Sequence, residues 1–441
     1  MNWLRRLRPS NDPEQAADGQ RVSLLLYVYL AFFAVSLLTN TLGALIPDII
    51  QGFSLSLTAA GLLPFAFFIA YGVMSIPAGL LTEAIGDKRV ACASFLVSLA
   101  GSFWFAARPG YVNATASLFL IGAGMAMLQV VLNPLLRVAG GAENYALHQT
   151  IAQVVFGAAS FLSPRLYSAL VTSLQKEQKG PVFEALSRLV PPSLPWLSLY
   201  WLFTLANAAM LAVTLVCRFP RVTRTAEEAA GSLPVYRALL RKPLVFVYFA
   251  SIFFYVGSEQ GAANWISEFL RRYHGCDPQT TGAYAVSWFW GLMTAGCLVG
   301  MLLLKLFDSR WVLVGTAVGS LVSVSAALFG PTKMALLGFP AIGFFASLIW
   351  PITFALALNS VKESHGAFAG ILCTAIAGGA VVPLMIGRLG DYFGLREGMC
   401  LLYFTFGWSI GVGLWAKPMV TNKTFQWRRS RVPGAPSRPV S

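Results

Sequence analysis

Twelve long apolar segments limit the folds that this chain can adopt. They lie at about 22–47, 57–82, 90–107, 113–137, 146–173, 194–217, 243–270, 279–306, 311–329, 332–360, 365–388 and 397–420. Each is close to the ~20 residues that an α-helix needs to cross a bilayer. Backbone groups in lipid must be hydrogen-bonded within their own segment, which favours helices. The sequence therefore predicts an all-α membrane protein with twelve transmembrane helices.

Composition and charge agree with a protein embedded in a membrane. Hydrophobic residues make up 56% of the chain and charged residues only 11%, a balance that would leave a soluble protein with very large apolar patches. The net charge of +14 is spread over loops and tails, so we expect no nucleic-acid partner. Most of the Lys and Arg residues fall on one side if both termini are cytoplasmic, as the positive-inside rule requires. We therefore expect a multi-pass plasma-membrane protein, monomeric and in contact with lipid.

The chain divides into two halves of six predicted helices. The only long connection on the predicted cytoplasmic side, 218–242, separates them. The predicted parts are a cytoplasmic tail at 1–21, a first bundle at 22–217, the cytoplasmic linker 218–242, a second bundle at 243–420 and a basic, disordered tail at 421–441.

The two halves resemble each other in sequence. Tyr71-Gly72-Val73-Met74-Ser75 in the second segment corresponds to Trp290-Gly291-Leu292-Met293-Thr294 in the eighth, and Asn40 corresponds to Glu259. Transporters built from two parallel repeats hold their substrate between the repeats, near the midplane. The sequence therefore predicts two pseudo-symmetric six-helix bundles with a site between them.

A short charged turn joins the second and third segments. Gly79 would allow two helices to approach closely, and Gly86 would supply a turn that a residue with a Cβ resists. Glu83 could meet a helix N-terminus or a basic side chain, while Lys88 and Arg89 indicate the cytoplasmic side. We expect these residues to act in conformational change. The pattern G-x-x-x-[DE]-x-x-G-x-[KR]-[KR] resembles the loop between spans two and three of the major facilitator superfamily.

Glu259 is the only carboxylate well inside a predicted span. A charged side chain at the centre of a membrane helix costs about 2.5–3.5 kcal/mol on insertion scales, so it normally faces a cavity or a partner. Small residues flank Glu259, so a ligand could approach it, and a carboxyl group in an apolar setting can take up a proton near neutral pH. We expect Glu259 to line the cavity and to couple transport to a cation; the alternative is a structural carboxyl group bonded to a neighbouring helix.

Uncharged polar residues and a deep tryptophan complete the candidate site. Amides recognise sugar hydroxyl groups without charge, because they both donate and accept hydrogen bonds. A deep tryptophan could stack on a pyranose ring. The candidates are Asn40, Gln129, Asn133, Gln153, Asn264 and Trp350. The alternative for each amide is a hydrogen bond that joins two helices.

Two arginines lie late in their spans. Arg165 and Arg388 are expected to extend toward the membrane surface or to pair with acids such as Asp48 or Asp391. Binding of an anion is the alternative.

Several classes of function lack any support in the sequence. There is no phosphate-binding loop, no nucleophile with a base, and no metal-ligand spacing. The six cysteines show no paired pattern. We therefore expect neither an enzyme nor an ATP-driven pump, and no cofactor or metal.

The chain resembles the fucose/galactose/glucose proton symporter family of the major facilitator superfamily along nearly all of its transmembrane part. The matching stretches include Thr39-Asn40 to Pro47, Asn133-Pro134, Ile151-Ala152-Gln153, Tyr255-Val256-Gly257-Ser258-Glu259 and Trp350-Pro351. The resemblance implies that Asn40, Gln153 and Trp350 contact the sugar.

Three residues depart from the family pattern. The family's coupling aspartate is replaced by Gly43, its fourth-span glutamate by Gln129, and an eighth-span arginine by Cys297. Either Glu259, which resembles a glutamate of the glucose/galactose branch, couples transport to a proton or sodium ion, or the protein is a uniporter.

The sequence thus predicts an alternating-access carrier for a neutral monosaccharide such as glucose, galactose or fucose. Two alternatives remain: an exporter of amphipathic drugs or metabolites on the same fold, and a sugar sensor that binds without transport.

Overall fold

The computed structural model describes residues 13–141, 145–176, 180–219, 233–361 and 365–416. The helices of the first half are α1 (Pro13–Thr39), α2 (Leu42–Phe53), α3 (Leu57–Ile85), α4 (Asp87–Ala107), α5 (Tyr111–Gly140), α6 (Tyr145–Leu174), α7 (Pro181–Leu189) and α8 (Ser198–Val216). Those that follow are α9 (Leu233–Leu240), α10 (Pro243–His274), α11 (Ala283–Leu306), α12 (Ser309–Phe329), α13 (Thr332–Ala346), α14 (Ile349–Leu358), α15 (His365–Thr374), α16 (Gly378–Phe393), α17 (Leu395–Met399) and α18 (Leu401–Trp415).

Twelve helical segments of the described chain are long and apolar enough to cross a membrane, which confirms the predicted number. The first, tenth, eleventh and twelfth segments each consist of two helices in sequence. The helix α1 begins at Pro13, within the stretch predicted as a tail, and α9 occupies part of the predicted linker. The basic tail at 421–441 lies outside the described residues.

The even number of spans places both ends of the described chain on one side, which we call the terminal side. The opposite side, which carries the 54–56, 175–197 and 275–282 connections, is the distal side. Within the first half, α5 packs between α3 and α4, and within the second half α13 packs between α11 and α12. The same arrangement in both halves agrees with the predicted repeat.

Three helix pairs make the largest contacts between the halves. α3 packs along α16, α6 along α11, and α2 against α10. A pseudo-twofold rotation that exchanges the halves would exchange the first two of these pairs, since α3 corresponds to α11 and α6 to α16. The interior between the halves is therefore bounded by helices from both repeats.

Glycines allow the halves to approach closely near the distal side. A Cβ added at Gly61 would lie 3.0 Å from the Cα of Leu384, and one added at Gly387 would lie 2.5 Å from the carbonyl oxygen of Leu57. On the terminal side Asn133 is exposed instead. A polar side chain exposed in a spanning helix is costly in lipid, so we infer that it faces a water-accessible opening.

Candidate functional site

A chain of hydrogen bonds follows one face of α10. The hydroxyl group of Tyr255 donates to Oε2 of Glu259 at 2.6 Å, and Nε2 of Gln260 donates to Oε1 of Glu259 at 3.1 Å. Asn264 Nδ2 donates to Oε1 of Gln260 at 3.3 Å and to the Gln260 carbonyl oxygen at 2.8 Å. Residues four positions apart are neighbours on a helix, so α10 alone builds this α10 cluster: Tyr255, Glu259, Gln260 and Asn264.

Aromatic and thiol groups surround the α10 cluster. The ring of Trp350 on α14 lies 6.4 Å from that of Tyr255 and is stacked on Phe354 at 5.8 Å, with an interplanar angle of 21°. The thiol of Cys297 on α11 is near enough to Glu259 for a direct electrostatic interaction. The structure thus links Glu259 to Asn264 through Gln260 and to Trp350 through Tyr255; these are three of the residues predicted for the site.

A second polar group lies in the first half, where α1 meets α6. Asn40, at the break between α1 and α2, donates from Nδ2 to Oγ of Ser160 at 2.8 Å, and Ser160 lies 2.6 Å from Oγ of Ser36. Ser36 also donates to the carbonyl oxygen of Phe156 at 2.5 Å. Asn40 is buried, so this network holds its side chain in a fixed orientation.

The other predicted amides lie toward the terminal side. Gln129 on α5 is half-buried, while Asn133 on α5 and Gln153 on α6 are exposed. The predicted site residues therefore fall into two groups, one on each half. Those of the first half are spread along the opening, and those of the second half are concentrated around Glu259.

A second buried acid lies on the same helix as Glu259. Glu268, near the distal end of α10, is fully buried and pairs with Arg271 at 2.7 Å and Arg272 at 2.5 Å. Because Glu268 is neutralised by two arginines, Glu259 remains the candidate for reversible protonation.

Sequence reasoning gave no role to Tyr255 or Gln260. The available signal was spacing: Tyr255 precedes Glu259 by four residues, and Gln260 precedes Asn264 by four, so each pair shares a helix face.

Gly43 occupies a point of direct contact between the halves. A Cβ added there would lie 2.2 Å from the carbonyl oxygen of Ala263 and 3.1 Å from the Cα of Asn264. No aspartate could occupy position 43 in this conformation unless α2 and α10 moved apart. Tight packing of α2 against α10 therefore replaces the acid that the resemblance places here.

Asp391 on α16 caps a helix of the other half. Its carboxylate accepts hydrogen bonds from the backbone amides of Leu57 and Thr58, both at 2.8 Å, and from the Thr58 hydroxyl group at 2.5 Å. These groups form the start of α3, where amides lack partners within the helix and the dipole favours negative charge. This contact, which we call the distal cap, joins the halves on the distal side.

The spacing of the turn after Gly79 recurs at the distal cap. Gly387, Asp391, Gly394 and Arg396 repeat the glycine, acid, glycine and base of the earlier motif. This repetition was the sequence signal that could have identified Asp391.

Arg165 does not pair with Asp48, which was one of the outcomes expected for it. The Arg165 guanidinium lies 4.0, 5.5 and 5.4 Å from the ring centres of three aromatic side chains, and its Nε donates to Oγ of Ser287 at 3.0 Å. The aromatic residues are Phe161, Tyr284 and Trp288. A cation packed against aromatic faces in low dielectric is stabilised without an acid.

Asp48 is bound by neutral donors. Tyr167 donates to its Oδ2 at 2.5 Å. Nε2 of Gln279, in the 275–282 connection of the second half, approaches the same oxygen at 3.2 Å. Arg388 is exposed, which agrees with the expected extension toward the membrane surface, and Asp391 serves the distal cap instead of an ion pair.

The charged turn on the terminal side is found largely as predicted. Gly86 has a φ of 88° and its amide bonds to Thr82, while Lys88 donates to the carbonyl oxygen of Leu215 at 2.8 Å. Glu83 and Arg89 are exposed.

The close helix approach predicted at Gly79 is not found. Nothing lies within 4 Å of a Cβ built there. We attribute this to the opening between the halves on the terminal side.

Fold and site together define a polytopic membrane protein in which two six-helix repeats enclose a polar cluster. The family model described as Major Facilitator Superfamily matches residues 28–382. The chain belongs to this superfamily.

Relatives match along most of their length. A protein of Brucella abortus named glucose/galactose transporter is 28% identical over 91% of this chain and 98% of its own. The L-fucose-proton symporter of Escherichia coli is 26% identical over 82% of this chain and 86% of its own. Among solved structures, the E. coli fucose:proton symporter aligns with a TM-score of 0.63 at 19% identity, covering 88% of this chain and 97% of that one.

Proposed function

We propose that this protein is a secondary transporter of a neutral monosaccharide, specifically a hexose. The observation that carries the proposal is the α10 cluster beside Trp350. Amide and carboxylate groups can bind sugar hydroxyl groups, and an aromatic face can pack against the apolar face of a pyranose ring. The relatives named as glucose/galactose transporter and L-fucose-proton symporter support this substrate class.

The sugar would be held between the halves. We assign Glu259, Asn264 and Trp350 to the second half of the site. The first half would supply Asn40, Gln129, Asn133 and Gln153, the last three as the sugar moves along the opening.

Alternating access would move the sugar across the membrane. The halves would rock between the arrangement described above, in which they touch on the distal side (distal-closed), and one in which they touch on the terminal side (distal-open). In the second arrangement the helices would pack closely at Gly79, and Glu83 would meet a helix N-terminus or a basic side chain. Gly86, Lys88 and Arg89 would hold the turn in its conformation. We infer that the terminal side is cytoplasmic, from the positive-inside rule, and that the protein works as a monomer in the plasma membrane, surrounded by lipid.

Glu259 would couple transport to a proton. It takes the place of the acids missing at Gly43 and Gln129, and the proton named for the E. coli relative supports this ion over sodium. If no ion gradient changes the extent of sugar uptake, the protein is a uniporter.

Counterflow in proteoliposomes tests the proposed substrate. Vesicles loaded with one unlabelled sugar would be diluted into labelled glucose without any ion gradient, so that only exchange on the carrier is measured. Transient accumulation with hexoses is expected. No counterflow with any sugar would contradict the proposal, and an amphipathic substrate or binding without flux would then favour the exporter or the sensor.

A further inference from the structure

The amide of Gln260 is held between two partners that together fix its orientation. An ionised carboxylate only accepts hydrogen bonds, so Gln260 must present Nε2 to Glu259, at 3.1 Å. Its Oε1 is then left to accept from Asn264, at 3.3 Å. Gln260 is only 4% exposed, so water cannot easily replace either partner.

Gln260 and Asn264 both lie where the two halves touch. A Cβ at Gly379 on α16 would be 3.1 Å from Cγ of Gln260 and 3.1 Å from the ring of Phe68, which belongs to α3 of the first half. The Cα of Asn264 lies 3.1 Å from a Cβ built at Gly43. The Gln260 side chain therefore lies beside one contact between the halves, and the backbone of Asn264 lies at a second one.

We propose that Gln260 is a positioning residue that links the charge of Glu259 to closure of the distal side. The inference rests on the proposed coupling through Glu259. When Glu259 is ionised, the amide orientation described above holds the Gln260 side chain in place beside Gly379 and Phe68, where the halves touch.

Protonation of Glu259 would reverse this orientation. A proton taken up on Oε1, since Oε2 accepts from Tyr255, gives the carboxyl group an O–H to donate, and the Gln260 amide can accept it only by turning its oxygen toward Glu259. The amide nitrogen would then face Nδ2 of Asn264, so that two donors meet and this bond is lost, while the bond of Nδ2 to the Gln260 carbonyl oxygen stays. With one partner fewer, the Gln260 side chain would move beside Gly379 and Phe68, packing of α3 against α16 would loosen, and the distal side would open as the proton binds.

Few other titratable groups face Glu259. Tyr255 lies on the same helix, and Cys297 faces it from α11. The neighbouring helices contribute Trp350 on α14, Phe68 on α3 and Gly379 on α16. None of these three titrates. Asp391 of the distal cap is a carboxylate whose protonation would also weaken closure, so the pH response is assigned to Glu259 by comparing Glu259→Gln with Asp391→Asn.

The test is a distance between spin labels at positions 51 and 392, measured as pH is lowered. Gln51 and Tyr392 are exposed on the distal side of opposite halves. The six native cysteines would first be replaced, and the protein studied in lipid nanodiscs. In the wild type we expect the distal-open population to grow as pH falls.

Gln260→Leu should reduce this pH-dependent change in the open-to-closed ratio by about fivefold, the ratio that one neutral hydrogen bond can set. Gln260→Met, closer to glutamine in shape, gives a second variant if the first does not fold. Glu259→Gln should also remove the response, and adding Gln260→Leu to it should change nothing more, because the two residues act in one chain.

Asn207→Leu is the matched control. Asn207 is a buried amide on α8 that bonds to the Phe203 carbonyl oxygen at 2.9 Å, away from the α10 cluster. Its substitution should leave the pH response unchanged.

Two results would overturn the inference: a wild-type pH response in both Gln260 variants, or no pH response in the wild type. Counterflow in the same preparations separates this from the proposed function. Sugar exchange together with an unaltered response in the Gln260 variants would reject only the role of Gln260. An absence of exchange with any sugar, with the pH response lost as expected, would reject the sugar and keep the link.

Discussion

Glu259 combines two properties that a coupling residue needs: donors that stabilise its charge and a position inside a span. Tyr255 and Gln260 donate to its two oxygens, so the ionised form has partners even though water is scarce. A proton that arrives with the sugar would compete with these bonds, which makes protonation sensitive to the state of the site.

Glu259→Gln should separate exchange from accumulation. The amide keeps the shape of the side chain but cannot bind and release a proton. We expect counterflow to persist while uptake driven by a pH gradient falls to the level seen without a gradient. Both are measured with the same labelled sugar. Full gradient-driven accumulation in this variant would show that another group carries the proton.

Substitution of Gly43 tests the distal contact by adding a single methyl group. Gly43→Ala places a methyl group 2.2 Å from the Ala263 carbonyl oxygen, and overpacking of this kind typically costs ~1–3 kcal/mol. The distal-closed arrangement should therefore lose population, which the pair of spin labels at positions 51 and 392 would report as a longer mean distance.

Gly79→Ala is the matched control substitution. Open space surrounds its Cβ position, so this change should not lower the distal-closed population. Equal shifts in the Gly43 and Gly79 variants would mean that the contact at Gly43 has no special role.

At the scale of elements, the distal cap is the clearest device for holding the halves together. An N-cap normally belongs to its own helix, as Asp308 does when it accepts from the Arg310 amide at the start of α12. Asp391 instead caps α3 from the other half, so the cap exists only while the distal side is closed.

Asp391→Asn should weaken closure without unfolding either half. Loss of a cap costs about 0.5–2 kcal/mol, which corresponds to a shift of several-fold toward the distal-open arrangement. Labelling of a cysteine placed at Leu57 would measure it, because the Leu57 side chain is buried and this residue contributes only its backbone amide to the cap. Asp308→Asn, which alters a cap within one half, should leave the labelling rate unchanged. A faster rate in both variants would point to a general loss of stability.

The helices themselves could be predicted from the sequence, and their partners could not. Apolar length and the cost of charge in lipid located the twelve spans, Glu259 and Asn264. The break at Asn40 and the cap at Asp391 depend on contacts between residues that are far apart in the chain. The partner of Arg165 was left open, because hydropathy says where a charge is costly but not whether an acid or an aromatic face will stabilise it.

At the scale of the whole molecule, the contacts between the halves are concentrated on one side. Gly43 and Asp391 join the halves near the distal side, whereas Asn133 and Gln153 are exposed toward the terminal side. The substrate site proposed around Glu259 would lie between these regions. A carrier in this arrangement would exchange sugar with the terminal side, and closure there would require the halves to rotate about the site.

The central claim is that the α10 cluster recognises the sugar, and Asn264 provides its most direct test. Asn264 and Asn207 are both buried amides that bond to the carbonyl oxygen four residues earlier, at 2.8 and 2.9 Å. The measurement is the half-saturating glucose concentration for counterflow in Asn264→Ala and Asn207→Ala. We predict an increase of about tenfold for Asn264→Ala, the equivalent of one lost hydrogen bond of about 1.4 kcal/mol, and no change for Asn207→Ala. Equal effects of the two substitutions, or none, would contradict the assignment of the sugar site to α10.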